Sequence, residues 1–427
     1  MSEAAVSLPP FKITAAALRK TTEYLARELV YPSDSPPNWS EFEWAVARAA
    51  ATLQGTSTLL ANILPWTGSS LWQSFLERQR EQSVLRHERI GELLAKIDDA
   101  TREARVSCVG LKGTALRALG IYAPGERPMG DIDLLVRAED LDSIDTALRS
   151  LDYSHAFTSR RHIVYEAQQK AELYGFGEHL QNPLTIEVHT AVAESLPVSE
   201  VDITSDLHPA TEYPGLNAYP DIAALLLHLL LHAAGNMKKH ALRQIQLHDI
   251  ASLSRHLDDD DWNSLLAKPH SNKCRWWLFT PLALTERYYP DSIPSDVLKH
   301  AHDSCPRILR IATDRQQLTD VSWSNLRIPA FPGMAWSRTP LEVLRVVRGR
   351  VFPERVALSE LEQSRLAQPQ LDNIPWYQLS HVSRIVRWLI SQPPRVQTML
   401  SVRAALENAG TSSDMLESDR LDTRCES

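Results

Sequence analysis

Two aspartates one residue apart, Asp131 and Asp133, stand in the run Met129-Gly130-Asp131-Ile132-Asp133-Leu134-Leu135-Val136. In an extended chain alternate side chains share a face, so both carboxylates point one way while Ile132 and Leu134 enter a core. Paired carboxylates repel unless a cation lies between them, and hard oxygen donors at this spacing suit Mg²⁺. Upstream, Leu111-Lys112-Gly113-Thr114 offers a turn able to hold phosphate. Downstream, Leu184-Thr185-Ile186-Glu187-Val188-His189 sets an acid between aliphatic neighbours. Such a carboxylate is costly to bury unless something compensates it, and a metal would. The plainer alternative is that Glu187 points outward from an edge strand. The chemistry these residues could do together is metal-assisted transfer of a nucleotide.

Positioning them requires strands with period two and helices to back them. Val106–Leu111 reads as a buried strand leading into a short helix at Thr114–Leu119, and Tyr122–Pro128, with two prolines and a glycine, reads as a loop. Gly130–Val136 is a strand, and Leu141, Ile144, Leu148 and Leu151 recur at helical spacing after it. Further strands are predicted at His162–Ala167 and Leu184–Ala191. Residues 1–105 read as a helical N-terminal region, in which Leu93, Leu94, Ile97 and Ala100 share one helical side. After a core at 106–195, a helical acceptor-side region spans 196–345, with helices at Ile222–Ala234, near Leu242–Arg255 and opening at Asp258–Asp261. A helical C-terminal region at 346–409 and a polar, disordered tail at 410–427 complete the division. A basic helix at Leu341–Val351 and a late helix at Ser380–Leu389 are also predicted.

Composition narrows the classes. The 427 residues, 43% hydrophobic and 23% charged, suit an ordinary globular protein of two or three domains. A net charge of −8, without a stripe of basic and aromatic residues, disfavours a nucleic-acid partner. Cys108, Cys274, Cys305 and Cys425 are scattered, against a disulfide framework or a multi-cysteine zinc site. The N-terminus shows no secretory pattern, and the apolar run Ile222–Ala234 is too short to span a bilayer, so a cytoplasmic, non-membrane protein is expected. Neither a phosphate-binding P-loop nor a dinucleotide-binding G-x-G-x-x-G occurs.

The order Lys112-Gly113-Thr114, then Arg127 through Val136, then Ile186-Glu187-Val188-His189 resembles the uncharacterised nucleotidyltransferase family of the polymerase-β-like superfamily. The strong motifs cover about residues 106–191, and a looser similarity runs through the histidine-containing helices to about residue 262. The resemblance implies an α+β fold: a polymerase-β-like core of mixed sheet with flanking helices, and largely helical N- and C-terminal regions. It implies two Mg²⁺ ions and attack of an acceptor on the α-phosphate of a nucleoside triphosphate, with pyrophosphate released. Asp131, Asp133 and Glu187 would then be the catalytic carboxylates and metal ligands, with Gly113 and Thr114 against the β- and γ-phosphates.

Two departures stand out: Thr114 replaces a second small residue, and Lys112 takes a place that is usually apolar. The spacer from Gly113 to Asp131 is also longer than in most of the superfamily. Lys112 and Arg127 are candidates to offset charge on departing pyrophosphate, though Arg127 beside Pro128 could equally face solvent. His189 and Asp249 are candidate substrate contacts. His228 and His232, one turn apart on an aliphatic helix, read as core or cleft-edge histidines rather than zinc ligands, since no third ligand is evident. Arg345, Arg348, Arg350 and Arg355 form a basic cluster, which a solvated helix face explains. The acceptor (small molecule, sugar, peptide or protein) and the base of the triphosphate stay open. The rival reading is a non-catalytic interaction module that keeps the fold. Three acids counting as candidate ligands weigh against it, because a degenerate site has no need of paired anions.

Overall fold

The computed structural model describes residues 11–159, 162–169, 176–197, 199–267, 275–327, 329–352 and 394–408, with isolated positions between 383 and 390. Four helices come first: α1 (Phe11–Glu28), α2 (Glu41–Gln54), α3 (Ser57–Ile63) and α4 (Ser70–Glu103). A capping box between Ser40 and Glu43 fixes the start of α2. Helix α4 looks polar in sequence because only one stripe is buried, including Phe75, Gln79, Arg86, Ile90 and Ile97.

The sheet follows, with β1 (Ser107–Gly110), the short helix α5 (Gly113–Ala118), β2 (Asp131–Val136), α6 (Leu141–Ser150), β3 (Tyr153–Thr158), β4 (His162–Ala167) and β5 (Thr185–His189). Next, β6 (Ala193–Ser195) and β7 (Glu200–Asp202) pair with each other, α7 (Thr204–Leu207) follows, and β8 (Gly215–Asn217) returns to the main sheet. The six strands lie in the order β3-β4-β5-β2-β1-β8. β2–β5 and β1–β8 are parallel and the other neighbours antiparallel, so the sheet is mixed.

Alternation gives each face its own core. Ile132, Leu134, Val136, Ile186 and Val188 pack with Ile90 and Ile97 of α4 and Ile144 and Leu148 of α6. On the other face Val109 and Leu135 join α8 (Ile222–Lys238), which is apolar on all sides and correspondingly buried. Asp221 caps α8 by accepting from the Ala224 N–H. Beyond it come α9 (Gln244–Ser254), α10 (Asp259–Ala267), α11 (Phe279–Tyr288), α12 (Ser295–Ser304), α13 (Arg307–Arg315), α14 (Leu318–Val321) and α15 (Pro340–Val351). The N-terminal helices have a separate tryptophan-rich core built on Trp39, Trp66, Trp72 and Phe75, which Val402 and Ala405 complete from the far end of the chain.

The α+β class and the mixed sheet backed by helices, which the resemblance implies, are present. The sequence patterns miss β3, β6, β7 and β8, of which the last three have three residues each and so no period to detect. The helix after β1 begins at Gly113, one residue before the predicted Thr114, and α8 continues past Ala234 to Lys238. Arg355, residues 410–427 and most of the Ser380–Leu389 helix lie outside the described residues. Arg345, Arg348 and Arg350 are on α15, where Arg345 and Arg348 are exposed. Cys108 and Cys305 are buried. Among the described residues no helix is long and apolar enough to cross a membrane.

Candidate active site

The face of β2 that carries Asp131 and Asp133 is opposite the one that buries Ile132 and Leu134. Strand β5 pairs with β2 in parallel, which sets Asp133 beside Glu187 and Asp131 beside Thr185. One carboxylate oxygen each from Asp131, Asp133 and Glu187 lies within 4.8 Å of the others. Strand β4 pairs with β5 on its far side and brings His162 opposite His189. Two strand registers thus collect three acids and two imidazoles on one patch of sheet.

Lys112 enters from the turn between β1 and α5. Its Nζ donates to Asp133 Oδ1 at 2.8 Å, and His189 Nε2 meets the same oxygen at 3.0 Å. Its backbone has φ 47° and ψ −112°, a conformation glycine adopts readily and a lysine only under strain of about 1–3 kcal/mol. Tyr219 steadies that turn: its hydroxyl accepts from the Lys112 N–H at 3.3 Å and bonds His228 Nδ1 at 2.7 Å. His228 is therefore a buried partner within the core. His232 Nε2 lies 3.1 Å from the Asn236 side-chain amide.

These contacts set the charge states. Burial alone would neutralise Asp133, but Lys112 and His189 hold its carboxyl well below the usual range. For Lys112 burial is likewise outweighed by Asp133 and Asp131, which raise it. Loss of surrounding water, then repulsion from Asp133, pushes the Asp131 carboxyl up to about 6. Its side chain reaches solvent at the rim, so the crowding of carboxylates carries the physical weight of that shift. One lysine does not balance three acids. Such a group has the oxygen donors and the deficit of positive charge that a hard divalent cation fits.

Arg127 is not a solvent-exposed loop residue. Its Nε and Nη2 donate to the two oxygens of Asp249, both at 2.7 Å, and the Tyr122 hydroxyl donates to Asp249 Oδ1 at 2.8 Å. Asp249, a candidate substrate contact in the sequence, is 2% exposed, and both its carboxylate oxygens are engaged by Arg127 and one also by Tyr122. It positions Arg127. A Cβ on Gly113 would lie 2.8 Å from Arg127 Nη1 and 3.2 Å from Met129 Cε, so only glycine lets this turn approach the guanidinium.

Thr114, the other residue of the turn expected to meet phosphate, follows Gly113 at the start of α5. It is buried, its N–H donates to the Leu111 carbonyl, and among the described residues Oγ1 has no hydrogen-bond partner. It lines a cavity of about 690 Å³ with Ala115, Arg117, Tyr219 and Leu225, a cavity whose lining includes none of the three carboxylates.

Sequence reading passed over two residues here. The sequence puts His162 in a strand but gives no sign of a place in the site, because only the β4–β5 register reveals that it faces His189. Arg86, on the charged-looking α4, is 3% exposed and donates to the carbonyls of Met129, His179 and Asn182 while pairing with Glu178. It ties the segments that enter β2 and β5 to one helix. Its only sequence signal was an arginine in line with the buried stripe of α4.

A smaller cavity of about 130 Å³ opens against this group, lined by Lys112, His162, Glu187, His189, Glu194, His228 and His232 among others. No curated protein and no solved structure matches the chain. One family model does, over residues 40–290, and it describes an uncharacterised nucleotidyltransferase.

Proposed function

The chain belongs to the uncharacterised nucleotidyltransferase family, and on that premise we propose that it is a Mg²⁺-dependent enzyme that moves a nucleoside monophosphate from a triphosphate to an acceptor. The observation that carries the reading is the in-register pairing of Asp133 with Glu187, with Asp131 within 4.8 Å. Strands hold all three carboxylates, so their spacing does not depend on a mobile loop. Mg²⁺ bound there would supply the positive charge that both the acids and a triphosphate lack.

The remaining work falls to the chain's own groups. Lys112 and Arg127 bring two fixed cations to the turn at Gly113, where phosphate oxygens could be neutralised as they separate. Arg127 is locked by its bidentate bond to Asp249, so it needs no reordering to act. The acceptor's oxygen or nitrogen attacks the α-phosphorus and gives up its proton to solvent, the bond to the oxygen bridging α and β breaks, and pyrophosphate leaves. Thr114, with its hydroxyl buried elsewhere, takes no part in this account.

The test is to incubate the protein with Mg²⁺, a cell extract and each nucleoside triphosphate, labelled at either the α- or the γ-phosphate. The α-label should pass to an acceptor while the γ-label appears in pyrophosphate. A parent protein that fails to bind any Mg²⁺-nucleotide would remove the reading and leave an interaction module.

A further inference from the structure

We propose that His162, Glu187 and His189 form a second cation position, one that takes a first-row transition metal such as Mn²⁺, Co²⁺ or Zn²⁺ and shares Glu187 with the carboxylate group. The three residues each offer a ligand atom within 4.8 Å of the other two. His162 Nε2 lies 3.5 Å and His189 Nε2 3.7 Å from Glu187 Oε2, and the two rings are 5.0 Å apart between centroids. All three stand on the paired strands β4 and β5, where His162 faces His189 in register.

Chemistry separates this position from its neighbour. Asp131, Asp133 and Glu187 offer oxygen alone, the donor Mg²⁺ prefers. Two imidazoles and a carboxylate are poor company for Mg²⁺ and good ligands for the later divalent metals, whose affinity rises from Mn²⁺ toward Cu²⁺. Space is also present, because the three residues line the cavity of about 130 Å³, with His228 and His232 beyond them. Asp133 lies 3.0 Å from the same His189 Nε2 and is itself tied to Lys112, so a cation bound through that nitrogen takes the place of this hydrogen bond. A hydrogen-bonded imidazole–carboxylate cluster without affinity for metal is the competing account, and it makes different predictions.

The position is defined by its nitrogen donors and does not require nucleotide transfer, so the two readings fail separately. The full chain, stripped with chelator, is titrated with Co²⁺ and followed by visible absorption in a large excess of Mg²⁺. One Co²⁺ should bind with the bands of a nitrogen-ligated ion and survive the Mg²⁺. His162→Gln and His189→Gln should each weaken it by at least the roughly 10–100-fold that loss of even an outer-shell partner costs. Asp131→Asn should leave it within a few-fold. If His189→Gln does not fold, His162→Gln at its half-buried position decides alone, with its melting curve as control. Displacement of Co²⁺ by Mg²⁺, or parent-like binding by His162→Gln, overturns the proposal even where Mg²⁺-dependent transfer is intact. Co²⁺ bound through nitrogen in a protein that transfers no nucleotide leaves it standing.

Discussion

Two buried cation–carboxylate pairs stand near one another, and they are built on opposite plans. In Arg127–Asp249 each carboxylate oxygen accepts from the guanidinium and one also accepts from Tyr122. In Lys112–Asp133 the ammonium and His189 crowd onto Oδ1, and among the described residues no hydrogen bond reaches Oδ2. The first pair is saturated, the second leaves acceptor capacity unused and stands beside two more acids. A saturated pair fixes geometry; an unsaturated one invites a further cation. On the proposed function, the contrast fits Asp249 as scaffold and Asp133 as a ligand of the cation.

The contrast breaks most visibly at Asp133. We expect Asp133→Asn to lower transfer by about 10³-fold or more, since a metal-held charge is worth several kcal/mol and each 1.4 kcal/mol is tenfold. Its denaturation midpoint should move little by comparison. Steady-state pyrophosphate release beside a urea melt measures both, and unchanged turnover would return Asp133 to a structural role.

Asp249→Ala should reverse the pattern. Removing one partner of a buried pair strands the other charge, at about 3–5 kcal/mol. Urea unfolding should show that loss, with Tyr122→Phe costing less because Arg127 keeps its partner. If Asp249→Ala is as stable as the parent, the lock does not exist.

The smallest effect is in pH and concerns the helical side. Burial keeps His228 and His248 neutral, pushing them down to about 3 and about 4, and lowers His232 in the same way. Unfolded, these imidazoles take protons below about 6.5, whereas the folded ones do so only near those lowered values. Stability should therefore be full above 6.5 and fall as pH drops toward 4. Asp133, held below its ordinary range, contributes to loss only at still lower pH. Urea midpoints from pH 7.5 to 4.5 should fall, and His228→Gln should shallow that slope; an unchanged slope would exclude the His228 contribution.

The two pairs also explain how much was legible in the sequence. Asp131, Asp133 and Glu187 could be singled out because period two is written into contiguous residues, and a strand preserves it. The partner of Asp249 is not legible because it lies 122 positions away, and nothing in the local pattern of α9 announces an incoming guanidinium. His162 was overlooked for a related reason: pairing across strands depends on register, which the run His162–Ala167 does not contain. Thr114 adjoins the turn in sequence, yet its buried side chain lines the cavity of about 690 Å³, whose lining includes none of the three carboxylates. Spacing along one strand survives translation into three dimensions, while contacts between elements have to be seen.

The span of the Arg127–Asp249 contact also bears on the order in which the molecule is made. A link across 122 positions closes a large loop, and such closures lag behind local structure. During synthesis the segment bearing Asp131 and Asp133 leaves the ribosome well before α9 does, with the Arg127 guanidinium still lacking its anion. The acidic patch can form as strands pair, but the turn facing it stays loose until the helical half arrives. The turn at Gly113 thus gains its last fixed neighbour only when the second half has docked.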